Sequence, residues 1–202
     1  MKILQGFLIF MGVLAVLAII ALAVGYIFAL LTPDTRSNMR PVVLSSEAVD
    51  SMNKKLSDIK KETVAAVGSK TAKPVQLVLT EEEINSTIVM ALAEGTIPAK
   101  EMLVNFNDGY IMTYASWSFP GLPVKTGVIG TLDVEKGKPK FVIRDFYLGK
   151  LPVPDNVDMG VQEWINILFQ LNAPMEELNF DLKEVTISEG QLKLAGTTKT
   201  SK

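Results

Sequence analysis

The distribution of hydrophobic positions divides the chain into an N-terminal apolar run and a longer part with alternating polarity. Residues 7–31 contain no charged side chain. At about 1.5 Å per residue, a helix of that length crosses a hydrocarbon core of about 30 Å. Pro33 cannot continue such a helix. We therefore predict a single-pass transmembrane anchor over residues 1–32.

A cleaved signal peptide is the alternative interpretation of this run. Lys2 supplies a small positive region, and Ala21-Leu22-Ala23 is typical of a cleavage site. The apolar run continues to Leu31, whereas the apolar part of a signal peptide usually spans about 7 to 15 residues, which favours a retained anchor. The charges that flank the run are nearly balanced, but the short tail before it favours a signal-anchor with an extracytoplasmic C-terminal domain.

Residues 33–74 are predicted to contain a short linker over 33–45 and a juxtamembrane helix from Ser46, which can cap it. The apolar positions on one face of this helix are Val49, Met52, Leu56, Ile59 and Val67. Two arrangements remain open. The helix packs on the domain by this stripe, or it forms a coiled-coil stalk. The apolar stripe covers only about three heptads of a coiled coil.

The part from residue 75 to 202 opens with a strand and a capped helix. Val75 to Leu79 has the composition of a strand. Thr80 followed by Glu83 is a capping box, and the helix that it opens extends to about Ala93. Glutamates 81–83 fall in its first turn, where they complement the helix dipole, and we prefer that interpretation to a metal or acid–base cluster.

Most of the remaining chain alternates with the period of strands. The predicted strands are residues 102–106, 109–119, 125–134, 141–148, 182–188 and 191–197, and an amphipathic helix is predicted over 161–171. The fold class is therefore α+β, with an N-terminal transmembrane helix followed by a curved antiparallel sheet that wraps one or two helices. The predicted domain boundaries are 1–32, 33–74 and 75–202.

Two predicted strands are apolar on both faces. In 109–119, one face carries Tyr110, Met112 and Tyr114, and the other carries Ile111, Ala115, Trp117 and Phe119. In 141–148, alternation places Ile143 and Phe146 on opposite faces. Because an antiparallel strand with one wet face is polar at alternate positions, these second faces must be covered. The protein's own helices or an apolar ligand can cover them.

The chain lacks the residues on which most hydrolytic and metal chemistry depends. It contains no histidine and no cysteine, which excludes Ser-His-Asp triads, Cys-His pairs and the usual zinc sites. Asp133, Glu135 and Asp145 are the candidates for carboxylate-only catalysis, and we interpret them as surface or ion-paired groups. We predict no enzyme, no cofactor and no metal. The net charge of −2 gives no basic footprint for nucleic acid.

Four stretches in fixed order carry a family resemblance. They are LTEEEIN at 79–85, DGYI at 108–111, LGKLPVP at 148–154 and VTISEGQLKLAG at 185–196. With the preceding anchor, this order resembles the YpmS-like family of membrane-anchored bacterial proteins, which is related to LmeA-like phospholipid-binding proteins. The resemblance implies an extracytoplasmic domain with a curved sheet around a helix and an apolar groove. It brings no catalytic residues.

Two functions follow as hypotheses. The first is a membrane-tethered, non-enzymatic domain that binds a lipid or another long apolar ligand in a groove, through burial of alkyl surface. The predicted lining is Trp117, Phe119, Ile143, Phe146, Trp164, Leu168 and Phe169. The second is an assembly or scaffold subunit of a membrane protein complex, which contacts its partner through the anchor and the helix from Ser46.

Overall fold

The computed structural model describes residues 2–66, 71–119, 122–153 and 180–199, and it describes side chains over 16–66, 71–118, 123–153 and 180–199. The helices are α1 (Lys2–Leu30), α2 (Asp34–Ser37), α3 (Ser46–Ala66) and α4 (Glu81–Ala93). The strands are β1 (Pro74–Thr80), β2 (Ala99–Asn107), β3 (Tyr110–Phe119), β4 (Leu122–Glu135), β5 (Lys138–Leu148), β6 (Leu151–Pro152), β7 (Phe180–Ser188) and β8 (Gln191–Thr198).

The predicted α+β class is confirmed, and the described antiparallel strands form two open sheets. One sheet has the order β2-β3-β4-β5-β6 and the other the order β1-β8-β7. Consecutive strands pair through short turns in the first sheet. The second sheet instead joins β1 to β8, which follows it by more than a hundred residues. Local alternation cannot reveal that partner, because it specifies which residues share a face and not which strands are neighbours.

Helix α1 is long and apolar enough to cross a membrane, which fits a single-pass anchor or a signal sequence. Only 6% of its most apolar 18-residue window is buried in the protein. Its exposed side chains include Ile19, Leu22 and Ile27. A helix that is apolar all round and not buried by protein is typical of a helix in a hydrocarbon environment.

The main hydrophobic core lies between the two sheets and takes in α3. Phe106 and Leu182, from the two different sheets, are almost fully buried there. From α3, Ile59 is buried in this core, and Met52 and Leu56 pack against it. The helix therefore packs on the domain by its apolar stripe, which was the first of the two predicted arrangements. Val67 lies outside the described residues.

The two helix caps differ in how well the sequence predicted them. At α4, the Glu83 backbone N–H donates to Thr80 Oγ1 at 3.2 Å, and the Thr80 N–H donates to a Glu83 carboxylate oxygen at 3.0 Å. The predicted capping box is thus confirmed. At α3, the Ala48 N–H donates to Ser45 Oγ at 3.1 Å. Ser45 rather than Ser46 caps α3, because the helix already includes Ser46.

The buried stripe of α3 gives a test of the packing. We expect Ile59→Ala to lower the free energy of unfolding by about 2–4 kcal/mol, since it opens a cavity in the core. Val64→Ala on the same helix removes a side chain that is 55% exposed, and we expect a change within about 0.5 kcal/mol. Urea unfolding of the full chain in a non-ionic detergent, followed by tryptophan fluorescence, measures both. Equal losses would contradict the packing of α3.

Candidate functional site

Trp117, the first predicted lining residue, lies in the protein interior. It is 5% exposed, and its indole N–H donates to Thr126 Oγ1 at 3.0 Å. It packs with Met102 and Ala115, and Ile88 and Leu92 of α4 cover this small cluster. Helix α4 therefore covers this face of β3. The sequence had left open whether the protein's own helices or an apolar ligand covers it.

Ile143 and Phe146 both pack against the main core, although alternation places them on opposite faces. The reason is a β-bulge. Gly130 of β4 pairs with Ile143 and Ile129 pairs with Asp145, so Arg144 has no opposing residue. One extra residue reverses the side-chain alternation beyond it. The expectation that the two residues point to different faces was therefore wrong.

The remaining predicted lining residues are not placed by the structure. Phe119 ends β3 opposite Leu122, and its side chain is not described. Trp164, Leu168 and Phe169, together with the predicted helix over 161–171, lie outside the described residues. Trp117, Ile143 and Phe146 thus occupy two different core clusters, and the described structure does not bring them together along one open groove.

The other face of β3 is covered by residues 33–40, which we call the strap. Met39 is buried against Met112 and Tyr114, and the Arg36 guanidinium lies 5.6 Å from the centre of the Tyr114 ring. Burial raises the pKa of Tyr114, and the nearby Glu101 carboxylate adds to this. The segment that the sequence predicted as a linker therefore carries a short helix and a buried, packed side.

Thr35 shows how closely the strap approaches the sheet. A Cβ atom at Gly127 of β4 would overlap Thr35 Oγ1. A side chain at position 127 would therefore push the strap away. Glycine is required here for close approach rather than for its backbone angles.

Arg40, the last residue of the strap, connects it to α4 and to both sheets. Its guanidinium donates to Glu81 at 2.6 Å, to the Phe106 carbonyl at 2.6 Å and to Glu189 at 2.9 Å. Its backbone N–H donates to Asn105 Oδ1 at 2.6 Å. The hydrogen bond with Glu81 raises the pKa of Arg40 above its usual value. One side chain thus holds elements that are far apart in the sequence.

Side chains of α4 satisfy the free edge of β2, beside which none of the described strands lies. Asn85 is fully buried, donates to the Val104 carbonyl at 2.7 Å and accepts from the Val104 N–H at 2.9 Å. Glu81 accepts from the Phe106 N–H at 2.6 Å. Because buried backbone groups need partners, these two residues replace a strand and protect the edge from further pairing.

The C-terminal end of α1 is docked on the five-stranded sheet. The Lys150 N–H donates to the Phe28 carbonyl at 2.9 Å, and Lys125 Nζ donates to Thr32 Oγ1 at 2.9 Å. A Cβ atom at Gly149 would overlap the carbonyl oxygens of Phe28 and Ala29 in α1. The domain is therefore held against the end of α1 and does not hang from it on a free linker.

An apolar cleft of about 450 Å³ lies between the N-terminal part of α3 and the C-terminal half of α4. Its walls are Leu44, Ser45, Ser46, Val49, Asp50, Ser86, Val89, Met90 and Ala93. Leu44 and Met90 are 45% and 43% exposed, and the adjacent Val43 is 77% exposed. The volume falls within the range of about 300–1,000 Å³ that is usual for ligand pockets.

Hydrogen bonds fix one wall of this cleft to the other. The Ser45 N–H donates to Ser86 Oγ at 3.1 Å, and the Ser45 hydroxyl donates to Glu82 at 2.8 Å. The Ser46 hydroxyl donates to Glu47 at 3.4 Å. The segment after the strap thus forms a wall of the cleft and is tied to α4 by its serines.

A second clamp between α3 and α4 is centred on Glu83. Ser51 Oγ donates to its carboxylate at 2.6 Å, and Lys55 Nζ lies 2.7 Å from it. Burial alone would raise the pKa of Glu83, but the hydrogen bonds from Lys55, Ser51 and the Thr80 N–H outweigh burial and lower this pKa below 4.5. Glu83 therefore stays ionised and holds the two helices together.

Sequence reasoning placed the groove on the sheet and missed the cleft between α3 and α4. One signal was available. Helix α4 carries apolar residues on more than one stripe, and Ile88 and Leu92 face the sheet while Val89 and Met90 remain exposed. A helix that is apolar beyond one stripe presents a second contact surface.

The acidic residues considered for catalysis lie on the surface. Asp133, Glu135 and Asp145 are exposed, and Glu135 pairs with Lys140 at 2.7 Å. Within the described ranges, no group of three acidic, histidine or cysteine side chains is placed to hold a metal ion.

Comparison with known proteins assigns no family. No family model matches the chain, and no curated protein is significantly similar to it. The resemblance to YpmS-like and LmeA-like proteins therefore stays a prediction.

The contacts of Arg40 can be tested against those of Arg36 on the same strap. We expect Arg40→Met to lower the free energy of unfolding by about 2–3 kcal/mol, because Glu81 is left buried without a cation. Arg36 pairs with Glu101 at a more exposed position, so we expect Arg36→Met to cost less than about 1 kcal/mol. Adding Glu81→Gln to Arg40→Met should recover part of the loss. Chemical unfolding of the full chain measures all three, and equal losses for the single variants would contradict the role of Arg40.

The lowered pKa of Glu83 predicts a specific dependence on pH. The stabilisation from this carboxylate is present above about pH 4.5 and is lost as the pH falls through the lower pKa of the folded state. We expect wild type to exceed Glu83→Gln by about 1.5–3 kcal/mol at pH 7, the usual worth of hydrogen bonds to charged groups, and by much less at pH 3. Glu62→Gln, on the exposed side of α3, is the control. A difference that stays constant from pH 7 to pH 3 would refute the prediction.

Proposed function

We propose that this protein is a membrane-tethered, non-enzymatic domain that binds the alkyl chain of a lipid or a similar long apolar ligand in the cleft between α3 and α4. The single observation that carries the proposal is the apolar cleft itself, with Leu44, Val49, Val89 and Met90 on its walls. Exposed apolar surface of this kind on a folded domain commonly marks a binding site.

The chemistry of the walls suits an alkyl chain. Burial of apolar surface contributes about 25 cal/mol per Å² before the cost of ordering the ligand. Met90 has an unbranched, flexible side chain that adapts its shape to a ligand. The cleft is open on one side, so a chain can enter it without a rearrangement of the core.

The position of the cleft supports a ligand that comes from the bilayer. Helix α4 begins beside Phe106 and ends near Trp117, where Leu92 packs. Trp117 lies next to the Ser116–Lys125 pair of β3 and β4, and Lys125 bonds to Thr32 at the end of α1. The C-terminal half of α4 therefore lies toward the end of the sheet on which α1 docks.

A scaffold subunit is the second candidate. The observation that favours it is the exposed pair Val43 and Leu44 beside the cleft, because a protein partner can cover such a patch. Docking of α1 would hold this patch in a fixed orientation to the membrane. The two candidates use the same surface and differ in what covers it.

Photolabelling in a bilayer distinguishes them. The full chain is placed in nanodiscs that contain a phospholipid with a photoreactive group at the end of one acyl chain, and labelled peptides are mapped by mass spectrometry. We expect labelling of the peptide that contains Val89 and Met90, in addition to α1. Val89→Asp should abolish most of the cleft labelling, since it puts a charge on an apolar wall.

Val64→Asp is the matched control, because it makes the same change on an exposed part of α3 outside the cleft lining. Its labelling should equal that of wild type. Labelling confined to α1 in wild type would contradict lipid binding in the cleft. Capture of a membrane protein by a photoreactive residue at position 43, lost in Val89→Asp, would then favour the scaffold.

A further inference from the structure

We infer that the end of the five-stranded sheet on which α1 docks lies in the headgroup layer of the bilayer, where Lys125 and Lys150 contact lipid phosphates. This inference rests on the membrane tether of the proposed function. It goes beyond that function, because it concerns the face of the domain that meets the membrane surface rather than the cleft. The juxtaposition that carries it is a pair of lysines held at the level where a membrane-spanning helix leaves the hydrocarbon.

The length of α1 places the edge of the hydrocarbon near Tyr26. The uncharged run begins at Phe7, and about 20 helical residues from there span about 30 Å, the thickness of the hydrocarbon core. They end at Tyr26, whose side chain is 51% exposed. Tyrosine is enriched at the interface between hydrocarbon and headgroups. The last residues of α1 therefore extend into the headgroup layer, which is about 5–8 Å thick on each side.

The docked sheet gives the same boundary independently. The Lys150 N–H donates to the Phe28 carbonyl at 2.9 Å, and the Gly149 N–H donates to the Lys125 carbonyl at 2.7 Å. The sheet thus meets α1 at the level of Phe28. Open strand ends and charged side chains cannot lie in hydrocarbon, where their polar groups would lose water. The hydrocarbon must therefore end before this level.

Both lysine side chains reach the residues that follow α1. Lys125 Nζ donates to Thr32 Oγ1 at 2.9 Å, and Lys150 Nζ pairs with Asp34 at 3.3 Å. Thr32 lies two residues beyond the end of α1. Because lysine has a long and flexible stem, its ammonium group can turn to a phosphate at this depth.

The charges on this face of the sheet leave Lys125 uncompensated. Among the described residues, no carboxylate pairs with Lys125. Lys150 pairs with Asp34, and Arg36 pairs with Glu101. Three cations thus face two carboxylates, which favours a lipid with a net negative head.

The acidic end of α4 lies on the other face of the sheet. The Trp117 indole donates to Thr126 Oγ1, and Leu92 of α4 packs against Trp117. Because adjacent strand residues point to opposite faces, Lys125 points away from α4. It therefore points away from Glu94, which follows the last residue of that helix.

The size of the lipid preference follows from one uncompensated cation. A lysine near an anionic lipid surface changes a binding constant by about fivefold. Phosphatidylglycerol has a net negative head, whereas choline offsets the phosphate charge of phosphatidylcholine. We therefore expect phosphatidylglycerol to be preferred about fivefold at low salt, and by less when added salt screens the charges.

Ser188 marks the opposite end of the domain for comparison. The Ile187 carbonyl accepts from the Gly109 N–H at 3.0 Å, just before the start of β3. Lys125 pairs with Ser116, near the other end of β3. At about 3.3 Å per residue, the strand between these points spans about 20 Å. Ser188 therefore stays in water when the α1 end of the sheet rests on the membrane.

Spin labels on the full chain in nanodiscs measure which end meets the bilayer. The chain has no cysteine, so Pro152→Cys and Ser188→Cys each give one labelled site. Both positions are exposed, and Pro152 follows Lys150 by two residues. We expect the label at position 152 to lose most of its collisions with a water-soluble nickel complex, and the label at position 188 to keep them.

Native mass spectrometry of the full chain measures the phosphate contact. The nanodiscs contain equal amounts of phosphatidylglycerol and phosphatidylcholine with the same acyl chains, and the lipids retained by the released protein are identified. We expect wild type to retain phosphatidylglycerol over phosphatidylcholine about fivefold. Lys125→Gln should abolish this preference. Asp34→Asn should raise it about fivefold further, because it frees Lys150.

Lys193→Gln and Asp58→Asn are the matched controls, since they make the same changes at exposed positions of β8 and α3. Both should leave the preference unchanged. A disturbed fold cannot explain opposite effects of Lys125→Gln and Asp34→Asn, so this pair separates charge from structure. The preference should also survive Val89→Asp, which removes lipid from the cleft.

The outcomes separate this inference from the proposed function. Equal nickel collisions at positions 152 and 188 would overturn the placement in the headgroup layer. Equal retention of the two lipids by wild type, or a preference that neither Lys125→Gln nor Asp34→Asn changes, would overturn the phosphate contact. Chain-end photolabelling that spares the cleft would overturn the proposed ligand site alone. A full chain that does not insert into nanodiscs would overturn the tether and both proposals with it.

Discussion

Arg40 and Glu81 meet where the strap, the start of α4 and the edges of both sheets converge. The carboxylate of Glu81 is buried and would be costly there without a cation and hydrogen-bond donors. Arg40 and the Phe106 N–H supply both. The same contact fixes the end of the strap, so residues 33–40 are held along the outer face of β3. The packing of Met39 on Met112 and Tyr114 depends on this placement.

The strap in turn connects the end of α1 to the cleft. Helix α1 is docked on Gly149 and Lys150. The strap begins two residues after the end of this helix and ends at Arg40. Five residues further along, Ser45 caps α3 and bonds to Ser86 across the cleft. A single continuous segment therefore determines both how the domain sits on α1 and where one wall of the cleft lies.

The sequence anticipated the elements better than it anticipated the candidate site. The capping box of Thr80 and Glu83, the strands and the stripe of α3 are local patterns, and the structure contains each of them, although β2 and β4 begin three residues earlier than predicted. The lining could not be predicted in this way. Trp117 is closed off by α4, and the bulge at Arg144 moves Phe146 to the core face. Both facts depend on pairing between distant residues.

The sequence by itself determined the apolar helix at the N-terminus, the α+β class and the absence of histidine and cysteine chemistry, because composition and periodicity are properties of the chain alone. Only the tertiary structure decided that two sheets form, that residues 33–40 pack as a strap and that a cleft opens between α3 and α4. From the sequence, the mixed polarity of residues 33–40 is typical of a linker, because the residues that they contact are distant in the chain. Arg40 becomes a structural residue only when folding brings Glu81, Phe106 and Glu189 to it.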